Sequence, residues 1–157
     1  MKNFLITGRP GSGKTTLIIE TIKELNITPY GFYTKEIREK GVRVGFELCT
    51  FKGKKGILAH IDFNSKFKVG KYGVHLNDLD QIGIEEIEQG IKNNGIIVID
   101  EIGKMELFSD KFKLAVFKAL DSTSKVIATI IERSHPIGDK IKSSINLYFI
   151  ATMILNN

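Results

Sequence analysis

The sequence lacks the features that would direct a protein into a membrane or across one. Its 157 residues contain no apolar run close to the ~20 residues that a bilayer-spanning helix requires. The N-terminal stretch MKNFLIT has neither the long apolar segment nor the small-residue cleavage site of a signal peptide. A single cysteine, Cys49, excludes an internal disulfide and is typical of a reducing compartment. We therefore expect a cytoplasmic protein that makes no contact with a membrane.

The sequence also lacks a concentrated block of positive charge. The formal net charge is +5 and the pI is about 9.2, but the lysines are scattered through short stretches such as KEIREK, FKGKK and KFKVGK. Scattered lysines are typical of a solvated surface, whereas a basic arm that binds nucleic acid is usually contiguous. Nucleic acid is therefore not an expected partner, although a basic surface leaves room for it.

Neither an internal repeat nor a low-complexity segment divides the chain, so its length predicts one domain spanning residues 1–157. Hydrophobic residues make up 42% and charged residues 26%, which is the balance of a globular protein with a buried core. The predicted strands are 2–7, 96–99, 125–131 and 147–152, and the predicted helices are 14–25, 81–92, 109–120 and 136–143. Strands that alternate with helices predict an α/β fold around a mostly parallel sheet.

The middle of the chain has a different pattern. Three strand-like stretches, at 30–38, 42–51 and 56–62, are separated only by the short turns at 39–41 and 53–56. Such short turns join antiparallel neighbours, because a parallel connection needs a dozen or more residues. The sequence therefore predicts an antiparallel β-meander inserted at about residues 30–62. Residues 63–80 show no periodicity and are predicted to be irregular.

The segment GRPGSGKT at residues 8–15 matches the pattern G-x-x-x-x-G-K-[ST] of a phosphate-binding loop, or P-loop. It follows a predicted strand and opens a predicted helix, which is the context that this motif requires. Glycines let backbone N–H groups converge on an anion, with the positive end of the helix dipole behind them. Lys14 is predicted to contact the β- and γ-phosphates and Thr15 to supply a hydroxyl ligand to Mg²⁺. The predicted nucleotide-binding residues are Gly8, Arg9, Pro10, Gly11, Ser12, Gly13, Lys14, Thr15 and Thr16.

Two adjacent acidic residues follow the apolar stretch IIVI at residues 96–99. Asp100 is predicted to emerge at the carboxyl end of a strand, where α/β sheets place ligands, and to hold Mg²⁺ through its water shell. Glu101 is predicted to orient and deprotonate the attacking water. Lys14 is predicted to be the second catalytic residue. The adjacent Asp100 and Glu101 favour hydrolysis of a nucleoside triphosphate over transfer of its phosphate to another acceptor.

Three longer strings are more specific than either motif: DEIGKMEL at 100–107, GFYTKEIR at 31–38 and VGKYGV at 69–74. Together they resemble the small nucleoside-triphosphatase family first known from thermophiles, which includes a human cancer-related nucleoside-triphosphatase. The resemblance implies a three-layer P-loop fold in which the strand at 125–131 lies between the P-loop strand and the Asp100 strand. It also implies a monomer that hydrolyses ATP, GTP and other nucleoside triphosphates slowly, with Mg²⁺ and broad base preference. Lys104, within the first string, could reach the phosphates or lie in solvent.

Two other functions stay open at this stage. A nucleotide kinase would use several arginines on its acceptor phosphate, whereas this chain has Arg9, Arg38, Arg43 and Arg133, only one of them after Asp100. A nucleotide-gated module that binds RNA or a protein is the third hypothesis. Arg9 and Arg133 could contact the phosphates or lie in solvent. The Asn-Arg pair and closing helix that follow the last strand in the family do not occur before residue 157, so no base contact is expected from them.

Overall fold

The structure, a computed structural model, describes residues 3–144 and 149–151 of the chain. Its strands are β1 (Asn3–Thr7), β2 (Tyr30–Glu39), β3 (Val42–Thr50), β4 (Lys55–His60), β5 (Lys68–Val69), β6 (Tyr72–Val74), β7 (Ile96–Ile102), β8 (Lys125–Ile130) and β9 (Phe149–Ala151). Its α-helices are α1 (Lys14–Glu24), α2 (Ile84–Lys92), α3 (Asp110–Asp121) and α4 (Pro136–Ser143). A π-helical turn, Leu79–Gly83, precedes α2, and a 3₁₀ turn, Glu106–Phe108, follows β7. Within these ranges, no helix has the length and apolar character needed to cross a membrane.

All of these strands belong to one sheet, in the order β5-β6-β4-β3-β2-β7-β8-β1-β9. The pairings among β2, β7, β8, β1 and β9 are parallel, and those that link β2 to β3, β4, β6 and β5 are antiparallel. β8 lies between β1 and β7, which confirms the position predicted for the strand at 125–131. The strand predicted at 147–152 corresponds to β9, and both of its predicted ends lie outside the described residues.

The predictions of a mostly parallel sheet and of a separate inserted meander are corrected by the pairing of β2. This strand pairs in parallel with β7, from Tyr30 opposite Ile97 to Tyr33 opposite Asp100, so the meander continues the parallel sheet and the whole sheet is mixed. Residues 63–80 are not irregular throughout, since β5 and β6 form a hairpin and β6 pairs with β4. β5 and β6, with two and three residues, are too short to show alternation in the sequence. The lengths of the turns within the meander do not indicate that β2 pairs with β7.

Strand β7 runs through Ile102, so Asp100 and Glu101 lie within the strand and not after it as predicted. The pairing of β7 with β8 shifts register between Ile99 and Ile102, where these two acidic residues stand. Irregularities of this kind re-aim side chains and are frequent beside active sites. The strand therefore delivers both carboxyl groups to the edge of the sheet at which the P-loop begins.

Alternation along the central strands divides the core between the two faces of the sheet. Ile97 and Ile99 belong to one cluster of buried side chains, and Val98 between them belongs to the other. Helices cover both clusters: Ile18 and Ile22 of α1 on the Val98 face, and Ile87 of α2, Phe112 of α3 and Ile141 of α4 on the opposite face. Because α1 packs against β1 and β7 in this way, the loop at its N-terminus is held against the end of β7.

Ser109 caps α3 and ties it to the turn before α2. Its Oγ accepts the N–H of Phe112 at 3.0 Å and donates to Asp80 Oδ1 at 2.5 Å, and the residue is 2% exposed. We expect Ser109→Ala to lower the free energy of unfolding by about 1–2 kcal/mol, because the buried N–H of Phe112 and the half-buried carboxylate of Asp80 each lose a hydrogen bond. Urea unfolding measures this change. Lys111→Ala, on the exposed side of the same helix, is the control and should stay within about 0.5 kcal/mol; equal losses in the two variants would contradict the assignment.

Candidate active site

The predicted phosphate-binding sequence forms a tight turn between β1 and α1. Gly11 and Gly13 have φ angles of 76° and 89°, in the left-handed region that other residues adopt only at an energetic cost. Among the described atoms, none lies within 4 Å of the position that a Cβ would take at either glycine. The backbone angle, and not lack of space, therefore requires glycine at both positions. The turn ends at Lys14, the first residue of α1, so the positive end of that helix lies behind it.

Lys14 and Ser12 place two polar groups at this loop. Lys14 Nζ donates to the carbonyl oxygens of Gly8 at 2.9 Å and Arg9 at 3.0 Å, which holds the ammonium group over the loop. Ser12 Oγ is buried and has no hydrogen-bond partner among the described residues. A buried hydroxyl group normally has one, and an anion in the loop would provide it. The loop therefore fits a phosphate group.

Two threonine hydroxyl groups hold Asp100 against the loop. Thr15 Oγ1 donates to Asp100 Oδ2 at 2.7 Å, and Thr129 Oγ1 of β8 donates to Asp100 Oδ1 at 2.6 Å. Burial raises the pKa of Asp100, while the hydrogen bonds from Thr129 and Thr15 and the charge of Lys14 lower it. Residues 85 positions apart in the sequence thus meet at one point, as the two motifs predict. Thr129 is a contact that the sequence analysis did not find.

The oxygen atoms at this point suit a magnesium ion. Mg²⁺ takes oxygen ligands and is usually held by one or two protein groups, with water and substrate phosphates completing its shell. The Thr15 hydroxyl oxygen and an Asp100 carboxylate oxygen, 2.7 Å apart, are oxygen ligands of this kind. Residues 3–144 and 149–151 contain no group of three or more His, Cys, Asp or Glu side chains arranged to hold a metal ion, so the protein part of a magnesium site here consists of these two groups. Thr15 and Asp100 are therefore the candidate ligands.

Glu101 faces a cleft of about 550 Å³ that is also lined by Lys14 and Thr15. Burial raises the pKa of Glu101, the charge of Lys14 lowers it, and the charge of Asp100 raises it. A carboxylate whose pKa is raised accepts a proton more readily than an exposed one. Its position beside the phosphate loop and its environment both suit a general base.

The far wall of the cleft comes from the meander, which the sequence analysis did not connect with the site. Thr34 and Glu36 of β2 and Arg43 and Phe46 of β3 line this wall. The Arg43 side chain is fixed there, since it donates to Glu36 Oε1 at 2.9 Å and to Tyr72 Oη at 3.0 Å. The sequence string GFYTKEIR contains Thr34 and Glu36, and its resemblance to the family is the sequence feature that could have pointed to this wall.

The structure brings most of the predicted site residues to this one cleft. Pro10, Gly11, Gly13, Lys14, Thr15, Thr16, Glu101 and Lys104 line it. Gly8, Arg9 and Ser12 belong to the same loop without bordering the cleft, and Asp100 lies behind Thr15. Arg133 is not among the described residues that line the cleft. Glu106, which the sequence analysis did not single out, lines it and is almost completely buried.

Comparison with known proteins gives matches along nearly the whole chain. Residues 3–154 match the NTPase family. The nucleoside-triphosphatase THEP1 of Thermotoga sp. (strain RQ2) is 50% identical over 140 residues, which are 89% of this chain and 80% of that protein. The crystal structure of THEP1 from the hyperthermophile Aquifex aeolicus has a TM-score of 0.88 at 37% identity, covering 97% of this chain and 90% of that one. The solution structure of a human cancer-related nucleoside triphosphatase has a TM-score of 0.83 at 31% identity, covering 99% and 91%.

These matches confirm the resemblance that the three sequence strings carried. The family match, over residues 3–154, includes both the phosphate loop and the acidic pair. The α/β fold of this chain is similar over nearly its whole length to the folds of the two solved structures. The chain therefore belongs to the NTPase family.

Proposed function

We propose that the protein hydrolyses nucleoside triphosphates, ATP and GTP among them, to the nucleoside diphosphate and phosphate with Mg²⁺ as cofactor. One observation carries this proposal: Thr15 of the phosphate loop donates a hydrogen bond to Asp100 of β7 at 2.7 Å. That contact joins an anion-binding turn, a pair of metal ligands and the neighbouring Glu101. Relatives named nucleoside-triphosphatases support the proposal. Slow turnover and broad base preference, implied by the family resemblance, are part of it.

The proposal includes the three-layer P-loop NTPase fold, built as a single domain by residues 1–157. Three features support it: β8 lies between β1 and β7, helices pack on both faces of the sheet, and the meander belongs to the same sheet. In such sheets ligands bind at the carboxyl ends of the strands. β1 and β7 both deliver their site residues at that edge. A cytoplasmic monomer remains the expected state.

The phosphate loop performs the binding step. Lys14 Nζ donates to the β- and γ-phosphate oxygens of the bound nucleotide, and its position over the loop, where it donates to two carbonyl groups, supports this role. Ser12 Oγ then gains the partner that it lacks. The positive end of α1 favours negative charge at the same place. These groups also stabilise the charge that develops on the diphosphate as the β–γ bridge breaks.

Glu101 performs the proton transfer. A water molecule in the cleft gives its proton to the Glu101 carboxylate while its oxygen attacks the γ-phosphorus. The bond from that phosphorus to the bridging oxygen breaks, and the diphosphate leaves with the electron pair. Thr15 and Asp100 would hold Mg²⁺, which when bound polarises the phosphate oxygens and offsets their charge. Thr129 keeps the Asp100 carboxylate in place through its 2.6 Å hydrogen bond.

Removal of divalent metal is expected to lower the rate of ATP hydrolysis at least about 100-fold, because the metal's share of transition-state stabilisation amounts to several kcal/mol. Phosphate release is measured from ATP, GTP, CTP and UTP with Mg²⁺, with excess EDTA, and after Mg²⁺ is restored. The restored sample should regain its rate, which controls for damage by the chelator. Hydrolysis that persists in EDTA would contradict the assignment of Thr15 and Asp100 as metal ligands.

Transfer to an acceptor is the competing reaction, because the cleft extends past Glu101 to the wall formed by Arg43 and Phe46. The same measurement distinguishes the two if diphosphate and phosphate are both quantified, with and without nucleoside monophosphates. Diphosphate formed in excess of phosphate would favour a kinase. A parallel reaction with RNA tests the third hypothesis, since stimulation by RNA would favour a nucleic-acid-dependent module.

A further inference from the structure

Glu106 is a buried carboxyl group that the mechanism above does not use. It stands in the 3₁₀ turn after β7, is 5% exposed, and lines the same cleft as Glu101. Its Oε2 accepts the backbone N–H of Gly103 at 3.2 Å. None of the ion pairs in the described part of the chain includes it. A carboxyl group buried beside a proposed catalytic base, with no cation to pair with, needs an explanation.

Gly103 brings Glu106 and Glu101 close together. A methyl group on Gly103 would lie 2.9 Å from Glu106 Oε2 and 3.1 Å from Glu101 Oε1, so these two oxygen atoms are at most about 6 Å apart. Glycine at this position leaves the space into which both side chains project. One bridging water molecule can span a separation within this bound, and a direct hydrogen bond requires the two side chains to rotate towards each other.

Its surroundings favour the neutral form of Glu106. A buried carboxylate without a cation is strongly disfavoured, and a second carboxylate nearby adds repulsion. The charged groups that face the cleft from the other elements are Lys14 of α1, Glu36 of β2, Arg43 of β3, Glu101 of β7 and Lys104 after it. Burial first, and then the charge of Glu101, raise the pKa of Glu106 to about 8. The backbone N–H group of Glu106 lowers this pKa, the charge of Asp100 raises it by less, and the N–H group of Gly103 lowers it least.

We propose that Glu106 is a positioning residue, a neutral carboxylic acid whose O–H group, directly or through one water molecule, holds the Glu101 carboxylate in the orientation that accepts the proton of the attacking water. This inference rests on the proposed hydrolysis. Glu106 itself neither gains nor loses a proton during turnover. A neutral acid suits the place because a second negative charge would repel both Glu101 and the incoming triphosphate.

Two substitutions separate positioning from structural support. Glu106→Gln keeps the shape and a hydrogen-bond donor but cannot ionise, whereas Glu106→Ala removes the donor. At pH 7 we expect kcat for ATP hydrolysis to fall about 2–5-fold in the glutamine variant and at least about 20-fold in the alanine variant, because misplacing a catalytic group by about 1 Å costs up to 10²-fold. The KM for ATP should stay within about twofold in both. Equal losses of kcat, or losses confined to KM, would overturn the inference.

The pH profile gives a readout that a structural role would not move. Ionisation of Glu106 adds the unfavourable charge, so the wild-type kcat should be full below its pKa and should decline as the pH rises, with a midpoint near pH 8. The glutamine variant should keep its rate to about pH 9, where it should exceed the wild type. A wild type without this decline, or a glutamine variant with the same decline, would overturn the inference.

Two controls keep these results interpretable. Urea unfolding at pH 7 establishes that each variant is folded, and if the alanine variant is not, the profile of the glutamine variant decides alone. A wild-type protein that releases no phosphate from any nucleoside triphosphate would refute the proposed function itself. That outcome is distinct from an active wild type whose alkaline decline survives Glu106→Gln.

Discussion

Replacement of Glu101 by glutamine is expected to remove most ATP hydrolysis and to leave ATP binding within about twofold. Glu101 borders the cleft together with Lys14 and follows Asp100 directly in β7, so it can take a proton from water beside the γ-phosphate. Glutamine has the same size but cannot act as the base. The expected loss in kcat is about 10²–10⁴-fold. Phosphate release measures the rate, and titration with a fluorescent ATP analogue measures the affinity.

The matched control for this substitution is Glu20→Gln. Glu20 is an exposed residue of α1 that pairs only with Lys23 in the described residues, so the same chemical change there should leave both rate and affinity within about twofold. If Glu101→Gln retained more than about a third of the wild-type rate, the base would have to be another group, and the proposed proton transfer would be wrong.

Replacement of Lys14 by alanine is expected to weaken ATP binding by about 10–100-fold, because charge-assisted hydrogen bonds contribute about 1.5–3 kcal/mol each. Lys14 Nζ is the cation fixed over the loop by the Gly8 and Arg9 carbonyl groups. Alanine also removes the charge that stabilises the leaving diphosphate, so the rate at saturating ATP should fall as well. The same titration and phosphate-release measurements report both losses.

Lys23→Ala is the control for Lys14→Ala, because Lys23 is also on α1 and its side chain is 67% exposed. The Lys23→Ala variant should bind ATP with the same affinity as the wild type. Unchanged affinity in Lys14→Ala would show that the triphosphate does not bind at the loop. Loss of affinity in both variants would instead point to a diffuse effect of net charge.

Local patterns in the sequence predict which residues meet at the candidate site. The P-loop is contiguous because its backbone N–H groups must surround one anion, and the acidic pair follows the apolar residues of β7 because its carboxyl groups must reach the edge of the sheet. The helix predicted at 136–143 is confirmed at both ends as α4. Its start is well marked because Pro136 occupies the first turn and the His135 side chain caps the helix.

Features that depend on distant contacts could not be predicted in this way. The parallel pairing of β2 with β7 joins residues 67 positions apart, from Tyr30 opposite Ile97 to Tyr33 opposite Asp100, and no turn or periodicity encodes it. That pairing brings Glu36 and Arg43 to the cleft. The role of Thr129 in holding Asp100 depends on the same kind of contact, since nothing distinguishes it from other strand threonines in the sequence. The burial of Glu106 is likewise a property of tertiary packing.

The most direct test of the account is a crystal structure with Mg²⁺ and a non-hydrolysable ATP analogue. We expect one Mg²⁺ ion held by Thr15 and Asp100 beside the triphosphate, and Glu101 within hydrogen-bonding reach of a water molecule near the γ-phosphorus. An analogue bound away from residues 8–16, or an ion that Thr15 and Asp100 do not share, would contradict it.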